Sequence, residues 1–180
     1  YGGFAGNEER LEDRNWVKNI TTLTVVEGSE SSVVTFSGFS ALTLLDGFTI
    51  KGGKGDSGGG IKVEATVTLY HAGGKIREEK GSPRIANCKI TENSASTGGG
   101  IYISNASPQI TNCAITGNMA SDKGGGIYNL SVGGIGARPT FTNCIISGNK
   151  ANQGGGIFSN DPTGSTDNPT FTNCTISGNE

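Results

Sequence analysis

The stretch SPQITNCAITGN, residues 107–118, decides how this chain folds, because it recurs. SPRIANCKITEN stands at 82–93, RPTFTNCIISGN at 138–149 and NPTFTNCTISGN at 168–179. The first three copies each lead on to Gly-Gly-Gly-Ile and an aromatic residue, at Gly98 to Tyr102, Gly124 to Tyr128 and Gly154 to Phe158. A weaker copy, LLDGFTIKGG from Leu44, reaches Gly58-Gly59-Gly60-Ile61. The four cysteines, Cys88, Cys113, Cys144 and Cys174, lie 25, 31 and 30 residues apart. A constant motif at a variable interval is one structural unit with loops of different length. The loops fall after the second Asn of each motif and after the Gly-Gly-Gly-Ile-aromatic run.

Within a unit, apolar and polar residues alternate. Ile110, Cys113 and Ile115 alternate with one slip at Asn112-Cys113, and Phe141, Cys144 and Ile146 do the same. Period two means strand, and the slip marks a corner where the chain changes sheet. Ile127 with Tyr128 opens a third short strand. The fold expected is all-β: a parallel β-helix of about five to six rungs with three short strands per rung. An α-solenoid would need a 3.6-residue period, which is absent. Stacking at about 4.8 Å places like residues over one another. Ile85, Ile110, Phe141 and Phe171 make one interior column, Ile90, Ile115, Ile146 and Ile176 a second, and Ile61, Ile101, Ile127 and Ile157 a third. At about 1.5–3 kcal/mol per buried large side chain, a rung gains several kcal/mol. Ordering entropy offsets most of that, so no rung folds alone.

Asn87, Asn112, Asn143 and Asn173 are expected at the first corner, and Asn93, Asn118, Asn149 and Asn179 at the end of the second strand. Asn tolerates the left-handed conformation, and stacked amides can bond up a ladder. The glycine triplets, with Gly99, Gly125 and Gly155 at their centres, are expected to supply positive φ where the third strand begins. Pro83, Pro108, Pro139 and Pro169 open strands, a position that tolerates Pro. One domain is expected over 1–180. It comprises a cap or first-coil loop at 1–19 with Trp16 packed on the core, irregular first coils at 20–61, an excursion at 62–81, and regular repeats at 82–180 with the last rung incomplete. The chain opens at Tyr1 without an initiator Met and stops in mid-pattern, and is expected to be a piece of a longer protein.

These units resemble the right-handed parallel β-helix repeats of secreted and surface bacterial proteins. The opening Tyr1-Gly2-Gly3-Phe4-Ala5-Gly6, the stretch from Arg14 to Leu23, and Leu45 to Ile50 resemble the first coils of the same group. The resemblance implies an extracellular or cell-surface location. A looser resemblance is to chlamydial polymorphic outer membrane proteins, whose adhesive passenger domains repeat a Gly-Gly-Ala-Ile type motif and a Phe-x-x-Asn type motif. The matching positions are Gly99-Gly100-Ile101 and Ile115-Thr116-Gly117-Asn118 with their copies, with Gly in place of Ala and Ile in place of Phe.

The net charge of −2, from 14 basic and 16 acidic residues, gives no electrostatic footprint for nucleic acid. No apolar run approaches the roughly 20 residues that span a bilayer, so no membrane insertion is expected. Without a CxxC pair the cysteines have no zinc spacing and are expected to be buried free thiols. In-register neighbours near 4.8 Å lie too far apart for the roughly 3.8 Å between Cβ atoms of a disulfide. His71, the only histidine, lies in the excursion with Tyr70, Lys75 and Arg77. These four are the candidate ligand-binding residues, on a hairpin that turns at Ala72-Gly73-Gly74. A hydrolase of this fold would stack carboxylates on adjacent rungs. The repeats offer only Glu92, Asp122, Asp161, Asp167 and Glu180, and the counterparts of Glu92 are Gly117, Gly148 and Gly178. No metal, cofactor or catalytic residue is therefore expected. The expected role is a non-enzymatic adhesive or structural stalk that binds a surface glycan or protein receptor or associates head to tail. The alternative is a carbohydrate-active or glycan-binding module.

Overall fold

The computed structural model describes residues 1–37, 43–65, 67–68, 77–78, 82–132, 137–162, 164 and 168–180. These residues form a stack of coils whose strands are parallel to their counterparts in the next coil. In the coil that begins at Arg84, the first strand is Arg84–Ala86, the second Lys89–Thr91, the third Ser94–Thr97 and the fourth Ile101–Ser104. Each belongs to its own sheet. Among the described residues the first sheet has five strands, the second six, the third three and the fourth five. The three strands expected per rung are there. The addition is the short third strand, in a stretch that reads as a loop because Ser94-Ala95-Ser96-Thr97 carries no large apolar residue.

The register joins like to like. Ile110 faces Ile85 and Phe141 on its two sides, and Phe141 faces Phe171. Ile115 faces Ile90 and Ile146, and Ile101 faces Ile61 and Ile127. These columns are the core: Ile61, Ile85, Ile90, Ile101, Ile110, Ile115, Ile127 and Ile146 are fully buried. The Phe141 and Phe171 rings stack inside at 4.8 Å. The N-terminal coils join the same sheets, Thr21–Leu23 pairing with Phe48–Ile50 and Leu44–Asp46 with Arg84–Ala86. Their sequence is irregular but their register is not.

Two corners turn on left-handed residues. Asn87, Asn112, Asn143 and Asn173 have φ of 51 to 54°, as expected for an Asn corner. The second corner differs from expectation. Its left-handed residue is the one before the Asn: Glu92 at φ 56°, Gly117 at 64°, Gly148 at 63° and Gly178 at 59°. That is why Glu92 aligns with glycines, and the Asn is freed to turn inward.

The glycine triplets also need a correction. Only the first of each has positive φ, at Gly58, Gly98, Gly124 and Gly154. Gly99, Gly125 and Gly155 are needed for close approach instead. A Cβ on Gly99 would stand 2.3 Å from the Met119 carbonyl oxygen, and one on Gly125 would stand 2.4 Å from that of Lys150. A Cβ on Gly155 would overlap the backbone of Glu180. The coils touch backbone to backbone here, so no side chain fits.

The excursion leaves the coil later than expected. Ile61–Glu64 is still a strand of the fourth sheet, with Val63 buried, and Ala65 N–H donates to Ser104 O. Val67–Thr68 then pairs antiparallel with Arg77–Glu78. At the N-terminus, Trp16 does not join the core as expected. It is 39% exposed and packs on the Arg14 guanidinium. Among the described residues no helix is long and apolar enough to cross a membrane.

Candidate functional site

The recurring polar side chains form axial columns, and each column is bonded along its length. The inner column is Asn93, Asn118, Asn149 and Asn179, the first three at most 2% exposed. Asn118 shows the pattern. Its Nδ2 donates to Ile90 O at 2.9 Å in the preceding coil and to Asn149 Oδ1 at 3.0 Å in the next. Its Oδ1 accepts from Asn93 Nδ2 at 3.0 Å and from the Asn93 backbone N–H at 3.2 Å. Asn93 and Asn149 repeat these bonds, so a row of buried amides is satisfied at every rung. A buried polar network stabilises when it is complete in this way.

The outer column is Asn87, Asn112 and Asn143. Asn112 Nδ2 donates to Asn87 Oδ1 at 3.3 Å, and Asn143 Nδ2 to Asn112 Oδ1 at 3.2 Å. The N-terminal coils close it: Asn87 Nδ2 donates to Asp46 Oδ1 at 2.9 Å, and Arg14 Nη2 pairs with Asp46 Oδ2 at 2.6 Å. Arg14 is nearly buried and lies over both the Tyr1 and Trp16 rings. Sequence reading missed this cap, because Arg14 and Asp46 are far apart in the chain and have no copies in later coils.

A third column lies outside the fourth sheet. Tyr102 and Tyr128 stack at 5.5 Å and 7°, and Tyr128 and Phe158 at 5.7 Å and 1°. Within the column the ring faces meet each other, and Lys123 Nζ lies over the Phe158 ring at 5.5 Å. Such a column stiffens the rod but offers a sugar ring little face to stack on. Burial pushes the Tyr102 hydroxyl above its ordinary range.

The cysteines form a fourth column. All four are free, and Cys88, Cys113 and Cys144 are buried. Each sulfur lies against the carbonyl two residues back, Cys113 Sγ at 3.3 Å from Thr111 O and Cys144 Sγ at 3.3 Å from Thr142 O. The neighbouring Cys113 lowers the Cys144 thiol to about 7, and Cys113 itself is pushed well above its ordinary value.

Of the ligand-binding candidates, Tyr70, His71 and Lys75 lie outside the described residues. Arg77 lies on the return strand of the antiparallel pair, where only its backbone is described. Asp167 is also outside. Among the repeat acids, Asp122 lies 3.7 Å from Lys123 and Glu180 3.0 Å from Lys150. Among the described residues no three His, Cys, Asp or Glu side chains converge as a metal site needs. A groove of about 280 Å³ runs between Trp16, Phe48, Asn87, Lys89, Asn112 and Ala114, with Cys88 in its wall.

Parallel coils held by axial ladders of amides, rings and thiols define a β-helix repeat protein. The family described as the right-handed β-helix region matches residues 14–180, and the chain belongs to that family. No curated protein and no solved structure shows significant similarity to the chain.

Proposed function

We propose that this domain is a non-enzymatic module of an extracellular or cell-surface protein, an adhesive or structural stalk. One observation carries the reading: the hydrogen bonds of the recurring polar side chains run along the axis, from each coil to the next. That arrangement spends side-chain chemistry on holding a rod together. Turnover would instead need groups of opposed protonation or charge gathered at one place. The exposed ladders of Asn, Thr and Ser suit contact with a surface receptor. Because the strands of successive coils pair parallel and in register, a second copy stacked head to tail would continue the sheets. That contact does not close and would build a filament.

The test is a glycan array run beside a depolymerisation assay on the same polysaccharides. Binding without cleavage supports the stalk. New reducing or unsaturated ends overturn it and favour a carbohydrate-active module. One observation favours a glycan-binding variant of the reading. The Val67–Thr68 and Arg77–Glu78 pair is an antiparallel departure from the coils, and the residues between include Tyr70, His71 and Lys75. Replacing 69–76 with a short Gly-Ser turn abolishes array binding if that departure holds the ligand. Light scattering against concentration reads the head-to-tail association, and a monomer at all concentrations removes it.

A further inference from the structure

The thiol column is regular enough to do chemistry of its own. Each sulfur makes the same two contacts, with the carbonyl two residues back and with one in the preceding coil. For Cys88 these are Ala86 O at 3.1 Å and Leu45 O at 3.9 Å, and for Cys113 they are Thr111 O at 3.3 Å and Ile85 O at 3.7 Å. For Cys144 they are Thr142 O at 3.3 Å and Ile110 O at 3.5 Å, and for Cys174 they are Thr172 O at 3.3 Å and Phe141 O at 3.5 Å. Equal contacts mean equal rotamers, so the sulfurs repeat at the coil spacing of about 4.8 Å. Disulfide formation would need the Cβ atoms near 3.8 Å. Two collinear metal–thiolate bonds of about 2.3 Å each span about 4.6 Å.

We propose that adjacent thiols of this column bind a soft monovalent ion, Cu(I) or Ag(I), in linear two-coordinate sites. Thiolate sulfur selects such ions. Zn(II) takes four ligands, and among the described residues no third His, Cys, Asp or Glu side chain reaches any pair. The step is a proton-for-ion exchange. Two thiols and one monovalent ion give a sulfur–metal–sulfur bridge in which one sulfur has lost its proton and the other has kept it. One proton leaves, no electron moves, and the buried charge is unchanged, so no uncompensated ion is placed in the core. The column begins beneath Phe48, which occupies the cysteine position in the preceding coil. Cys88, 3% exposed, is the thiol that borders the groove. Four thiols allow two separate pairs.

The test is titration of the reduced chain with Ag(I), read by native mass spectrometry and by ultraviolet absorption of the metal–thiolate bond. Zn(II) runs in parallel. The expected result is up to two Ag(I) per chain, no equivalent Zn(II) binding, and a melting midpoint that rises with added Ag(I). Cys113→Ser lowers the stoichiometry to one with the circular dichroism spectrum unchanged. Cys88→Ser does the same and serves if the first variant does not fold. Unchanged stoichiometry in the variants overturns the proposal. So does a midpoint that falls with Ag(I), since that is what capture by the unfolded chain produces.

Discussion

Asn118→Ala removes one member of the inner amide ladder and tests whether the ladder holds the coils together. Five bonds of the side chain are lost. The Asn93 backbone N–H and one Asn93 Nδ2 hydrogen lose their acceptor, and the Ile90 carbonyl loses a donor at 2.9 Å. Asn149 Oδ1 keeps its bond from the Asn118 backbone N–H. Water cannot reach a site where Asn118 is 1% exposed and Ile90 fully buried. At about 1–3 kcal/mol for each buried unsatisfied group, the two stranded donors alone cost about 2–6 kcal/mol. Asn112→Gly is the control. Gly adopts the φ of 54° there, and the outer amide bonds it loses are exposed, so the change stays within about 1 kcal/mol. Urea unfolding followed by circular dichroism measures both. If the two variants fall within about 1 kcal/mol of each other, the inner ladder is not what binds coil to coil.

Glu92→Gly relieves a left-handed non-glycine residue and raises stability by about 0.5–1 kcal/mol, seen as a melting midpoint a few degrees higher. A fall in the midpoint would mean the Glu92 side chain has a stabilising role. Gly99→Ala drives a Cβ into the Met119 carbonyl and costs about 3 kcal/mol or more by urea unfolding, where ordinary positive-φ strain would cost about 1. Asn129 is buried with its Oδ1 unpartnered among the described residues, below Ile103 and above the exposed Ser159, whose Oγ accepts from the Asn129 Nδ2 at 3.2 Å. Asn129→Val is expected to stabilise by about 1 kcal/mol, and a loss of stability would show that the amide is satisfied in solution. Stability also depends on pH through the thiols. Between about 7 and 9.0 the unfolded chain keeps the proton that folded Cys144 has lost, so stability rises with pH. Above 9.0 folded Cys113 holds its proton while the unfolded chain releases it, so stability falls. Urea midpoints across this range, compared with Cys113→Ser/Cys144→Ser, show a maximum that the variant lacks.

Sequence alone determined the coil, its three large-residue columns and the Asn corners. The reason is translation: each coil meets copies of itself, so the contacts of Ile85, Ile110 and Phe141 can be read by aligning the segments that contain them. The Cys column was legible for the same reason. Alignment cannot tell which face of a corner points inward, and only the tertiary structure placed Asn93, Asn118 and Asn149 inside and Asn87, Asn112 and Asn143 outside. It also decided why Gly99 and Gly125 must be glycine, since the backbone of the next coil stands where a Cβ would go. The Arg14–Asp46 cap and the start of the excursion after Ala65 have no repeated counterpart, and nothing in a single copy announces its partner. Contacts between equivalent residues are written in the repeat, whereas contacts between unlike residues exist only once the chain is closed in three dimensions.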